Sequence, residues 1–103
     1  AAGHGAQRIR ARLDAAFSEL DARIARTLPI TAENNGTTVT SVLVEPAAIT
    51  FANVGDSRGV LVNDSYQVEF CTLDHKPTVL SEEVRIVNAH GYVVDMRVNG
   101  DLA

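Results

Sequence analysis

Tryptophan is absent from this 103-residue sequence, which has a single cysteine, a single methionine and only 5% aromatic residues. One thiol, Cys71, cannot close an internal disulfide, and that excludes the cystine-stapled secreted scaffolds. Set in an apolar run, Cys71 reads as a buried small hydrophobe ahead of a nucleophile. Cations are scarce as well: Lys76 is the one lysine, the arginines are scattered, and the net charge is −4. Phosphate binding needs clustered Lys and Arg, so neither nucleic acid nor an acidic membrane is expected as a partner. No run approaches the roughly 20 apolar residues of a membrane span, and residues 1–5 lack the apolar core of a signal peptide. A soluble, reducing compartment, cytoplasmic or otherwise intracellular, is the expectation. Zinc-type Cys/His spacing, a phosphate-cradling Gly-rich loop and a nucleophile elbow are all missing from the pattern.

What is present describes a small globular chain. Hydrophobic residues make up 46% and charged residues 21%, a balance unlike that of disordered or fibrous proteins. The length allows one domain, residues 1–103, which would hide roughly 60–70% of the surface of its unfolded form. Thirteen valines against so few aromatics lean the packing toward sheet.

The first third reads as one helix. Ile9, Leu13, Phe17, Leu20, Ile24 and Leu28 recur at spacings of three and four. Pro29 ends it, because the residue before a proline is pushed out of helical geometry, and Thr31 to Gly36 is polar turn chemistry. Short β-type runs follow at Thr37–Glu45, Ile49–Val54, Gly59–Asn63 and Tyr66–Cys71, separated by Pro46, Gly55-Asp56 and Asn63-Asp64-Ser65. Such spacing predicts an antiparallel meander. A second helix starts near Ser81, with Glu82 and Glu83 at its positive end. Its apolar face is Leu80, Val84 and Val87, and Gly91 is its stop, with His90 as a cation at the dipole's negative end. Tyr92–Val98 is the last strand. Asn99-Gly100 is the strongest hairpin signal, yet only Asp101-Leu102-Ala103 follow it, so the chain is read as a piece of a longer fold.

Taken alone, the chemical signals are thin. Gly55-Asp56-Ser57-Arg58 lies between two apolar strands. Its carboxylate could hold a metal or orient a water, or the turn's Asp and Ser could simply bond their own backbone. Arg58 could grip a phosphate bidentately, or pair with Asp56 or another carboxylate. His75, between Asp74 and Lys76, could shuttle protons, with structural use of Asp74 and His75 as the alternative. Asp95 and Asp101 are taken as solvent-facing.

Recognition adds what spacing does not. Phe51-Ala52-Asn53-Val54-Gly55-Asp56-Ser57-Arg58-Gly59-Val60-Leu61 resembles the strand-turn-strand of the type 2C protein phosphatases, the metal-dependent Ser/Thr phosphatases. Three further stretches agree in order: Gly36-Thr37-Thr38, Leu73-Asp74-His75-Lys76-Pro77, and the run from Arg97 to Ala103. The helix containing Phe17-Ser18-Glu19-Leu20-Asp21 also fits, and the resemblance covers about residues 9–103. It implies an α+β fold: part of an antiparallel β-sandwich flanked by helices, with five to six strands and two helices in this chain. It implies a binuclear Mn²⁺ or Mg²⁺ centre whose metal-bound water attacks phosphoserine or phosphothreonine in phosphoprotein substrates.

The departures matter equally. The family's bridging Asp lies in an Asp-Gly-His-Gly-Gly motif well before such a helix, and the only trace here is Ala2-Gly3-His4-Gly5-Ala6. Either Ala2 replaces that carboxylate or the match is chance, and on both readings His4 is not the family's general acid. The family's phosphate-binding arginine and late metal-binding aspartates have no counterpart. Asp56 alone corresponds to a metal-linked position, near a third and weaker metal. The resemblance gives Gly55, Ser57, Arg58, Asp74 and His75 motif or structural roles and leaves no catalytic residue in this chain. The expectation is a fragment or truncated member of the family, inactive by itself, with a non-catalytic protein-binding module as the alternative. Unpaired sheet edges would favour self-association.

Overall fold

The structure, a computed structural model, describes residues 2–101. It has three helices and six strands and falls into two compact units that divide between Thr37 and Thr38.

The first unit is helical. Helix α1 (Ala2–Thr27) carries the predicted stripe from Ile9 to Ile24, and helix α2 (Pro29–Asn34) follows after a break at Leu28, the stripe's expected last member. Pro29 therefore does two jobs. It stops α1, and at the first position of α2 its missing N–H costs nothing. The segment expected to be turn is instead this added short helix, whose end is closed by side chains. Asn34 Nδ2 donates to the Ile30 carbonyl (3.2 Å) and Asn35 Nδ2 to that of Thr31 (2.9 Å). Residues 3–6, expected just before the helix, lie within its first turns. Among the described residues, no helix is long and apolar enough to cross a membrane.

The second unit opens with strands β1 (Val39–Glu45) and β2 (Ala48–Val54), an antiparallel hairpin joined at Pro46-Ala47. Its register puts Val42 opposite Phe51 and Val44 opposite Ile49, an apolar set on the face that also carries Thr40 and Asn53. Strands β3 (Val60–Val62) and β4 (Val68–Cys71) form a second hairpin with a bulge after Leu61. Asn63 builds its turn, its Oδ1 accepting from the N–H groups of Ser65 (2.9 Å) and Gln67 (3.0 Å). Phe51 and Phe70 meet with ring centroids 4.8 Å apart, tying the first hairpin to the second.

Helix α3 (Leu80–Asn88) starts one residue before Ser81 and ends in a Schellman arrangement. The Gly91 N–H donates to Ile86 (2.9 Å) and the His90 N–H to Val87 (3.0 Å). The left-handed residue is His90 (φ 69°), not Gly91, so the expected glycine stop is displaced by one position. The expected strand from Tyr92 to Val98 is itself a hairpin, β5 (Val93–Val94) and β6 (Arg97–Val98). Its two loop residues, Asp95 and Met96, both have positive φ (53° and 62°), as a type I′ turn requires. Asn99-Gly100 does turn the chain, with the Asp101 N–H donating to Val98 (3.0 Å). The strand expected after it falls partly on Leu102 and Ala103, outside the described residues.

The class is thus α+β with antiparallel strands, having one helix more than expected and strands paired two by two. Burial is sparse. Ile86 is the buried aliphatic residue of the described chain, at 9% exposure, whereas Leu80, Val84 and Val87 of the expected face are exposed. Cys71 is exposed too, contrary to expectation, on a strand whose residues are all exposed.

Candidate functional site

Two segments that the chain holds far apart meet beyond the ends of β2 and β4. The turn 55–59 leaves β2, the loop 72–77 leaves β4, and hydrogen bonds of three kinds fasten one to the other.

The outermost fastening is reciprocal. The His75 N–H donates to the Gly55 carbonyl (2.9 Å), and the Gly55 N–H donates to His75 Nδ1 (3.3 Å). Nδ1 accepts only with a lone pair free, which in a neutral ring leaves the proton on Nε2. A second reciprocal pair sits deeper: the Thr72 N–H donates to Gly59 O (3.0 Å), while the Gly59 N–H donates to Thr72 Oγ1 (3.0 Å). Thr72 is buried at 7% exposure, and these bonds satisfy its hydroxyl there. At Gly59 the fit is tight, since a Cβ would stand 3.0 Å from Phe51 Cδ1 and the ring would have to give by a few tenths of an ångström. Gly55 must be glycine twice over, with φ 104° and a Cβ position 2.8 Å from Thr38 Cβ.

Between these pairs lies the ion pair. Arg58 Nε and Nη2 donate to Asp74 Oδ1 (3.0 Å) and Oδ2 (2.8 Å), a bidentate fork. The Arg58 hydrogen bonds hold the Asp74 carboxyl below the usual carboxylate range against an opposing desolvation, and Asp74 raises Arg58 in turn. Of the two readings open for Arg58, the structure has the one in which a carboxylate occupies it. That carboxylate is Asp74, not Asp56.

Asn53 joins the parts, a role that sequence reasoning missed. Its Oδ1 accepts from Thr40 Oγ1 (2.7 Å), and its Nδ2 donates to both Gly55 O (3.2 Å) and Leu73 O (3.0 Å). One amide thereby links β1, the turn and the loop. The available signal was an asparagine inside a strand, where it is disfavoured unless its side chain has partners. Ser57 is placed by Thr38, with hydroxyl oxygens 2.6 Å apart.

Asp56 sits at the tip of this frame, exposed, with Lys76 Nζ 3.9 Å from its Oδ2. Among the described residues no three His, Cys, Asp or Glu side chains come together as a metal would need. A divalent ion takes about six oxygens, and one carboxylate facing an ammonium does not make a site. These residues therefore do not by themselves fit a metal centre. Beside the frame runs a groove of about 510 Å³, lined by Arg58, Cys71, Thr72, Asp74, His75 and Ser81.

Residues 4–103 match the family model described as protein phosphatase 2C. The chain is 47% identical over 72 residues to human protein phosphatase 1A, covering 70% of this chain and 19% of that protein. It is 48% identical over 71 residues to rat protein phosphatase 1B (69% and 18%), and 49% identical over 71 residues to the bovine protein of that name (69% and 14%). The chain thus spans less than a fifth of the length of these curated relatives.

Proposed function

Because the chain belongs to the protein phosphatase 2C family, we propose that the whole protein hydrolyses phosphoserine and phosphothreonine in protein substrates, using Mn²⁺ or Mg²⁺. The metal, when bound, would activate water and neutralise phosphoryl charge. In this reading residues 1–103 are a partial phosphatase domain, and the observation that carries it is the family match along nearly the whole chain. Gly55, Ser57, Arg58, Asp74 and His75 have the structural task of holding the turn, and Asp56 supplies one carboxylate toward the metal region. Asp56→Ala in the whole protein tests this reading. Mn²⁺-dependent hydrolysis of a phosphothreonine peptide should fall at least about tenfold, or about 1.4 kcal/mol in barrier. Unchanged hydrolysis would remove Asp56 from the metal region, and no hydrolysis by the parent protein would remove the enzyme reading.

A second reading has its own observation. Asp56 lies beside Lys76 and without companion ligands among the described residues. That favours a phosphatase-like module which binds a protein and does no chemistry. Binding of a phosphoprotein without turnover, in saturating Mn²⁺, is its signature. The partner proposed for the isolated chain is a second copy, because every strand of its two-stranded sheets has an open edge. Light scattering should show association that rises with concentration, and a monodisperse monomer would contradict it.

A further inference from the structure

We propose that His75 is a proton-operated latch on the Gly55–Asp56 turn, closed when its ring is neutral and open when the ring is cationic. The reading rests on the hydrogen bonds alone and is independent of any phosphatase activity. His75 holds Gly55 by two bonds of different kinds. The backbone bond from the His75 N–H to Gly55 O is indifferent to pH. The bond from the Gly55 N–H to Nδ1 exists only while Nδ1 carries a lone pair. Protonation puts a hydrogen on Nδ1, so two donors face one another and the turn loses one of its fastenings.

Charged groups of both signs surround the ring. Asp74 in the same loop and Glu82 on α3 interact electrostatically with His75. Lys76 is its neighbour in sequence, while Arg58 pairs with Asp74 and Asp56 with Lys76. Arg85 likewise pairs with Glu82. The adjacent Gly59–Thr72 pair contains no titrating group. Acid should therefore loosen the end of the turn that bears Asp56 and leave its other end fixed.

Amide exchange and ¹⁵N spectra of the full chain, recorded on both sides of the His75 ring titration, test this. At the alkaline end the imidazole should show its proton on Nε2. On acidification the protection of the Gly55 amide, corrected for intrinsic exchange, should fall roughly two- to tenfold, with the midpoint of the His75 ring signals. Gly59 should keep its protection. In His75→Asn, whose Oδ1 can accept from Gly55 without titrating, the Gly55 step should vanish. A proton on Nδ1 at alkaline pH would overturn the latch. So would Gly55 protection indifferent to the ring, equal loss at Gly55 and Gly59, absence of protection at both throughout, or a persistent step in His75→Asn.

Discussion

Gly55 stands where a backbone at φ 104° passes against Thr38, and an added methyl would have neither the conformation nor the room. Gly55→Ala should destabilise the turn by about 1–3 kcal/mol, read as a lowered urea midpoint. An unchanged midpoint would mean that the turn is not held in this conformation. Asp74 carries a different prediction, about pH. Its carboxyl is held low by the Arg58 hydrogen bonds. A group whose folded pKa is depressed stabilises the fold above its unfolded value, and that contribution disappears as pH falls through the folded one. Asp74→Asn should therefore weaken the fold at neutral pH, and the difference from the parent should close in acid well below about pH 4. A difference that grew in acid would contradict the pair. Little of this could be read from residue order. The Arg58–Asp74 partnership spans 16 positions, and spacing left open whether Arg58 took Asp56, another carboxylate or a phosphate. The Gly-Asp-Ser-Arg turn itself was legible, because glycine at a strand end has few other uses.

Among the elements, those with local causes followed from the sequence. Pro29 marks both the end of α1 and the start of α2, and the Asn63 turn sits where its side chain can bond backbone two and four residues on. The β5–β6 hairpin was hidden because its loop, Asp95-Met96, lacks the glycine that normally signals positive φ. Met96 at φ 62° is the costly member. Met96→Gly should raise the stability of that hairpin by up to about 1 kcal/mol, seen as greater amide protection at Val94 and Arg97. Lower protection would show that Met96 holds the loop by contacts that glycine cannot supply. The helix α3 stop was displaced for a similar reason, since His90 adopts the left-handed conformation that sequence reasoning assigned to Gly91.

At the level of the whole molecule, burial was the least legible property. Periodicity says which face of an element is apolar, but cover depends on what packs over it. Val44, Ile49, Val68 and Leu80 all belong to apolar patterns, and all are exposed. Within the described residues these faces have the composition of a core without the layers that would make one. Asp56 likewise stands exposed beside Lys76, and no group of three potential metal ligands forms among the described residues. Among the described residues the turn and the loop are fastened together, but no cluster of ligands for a metal forms. Titration calorimetry of the 103-residue chain with Mn²⁺, beside Asp56→Ala, is the deciding measurement. The expected result is weak heats that saturate only in the millimolar range or above, with little difference between the two proteins. A stoichiometric micromolar site that disappears in Asp56→Ala would contradict it.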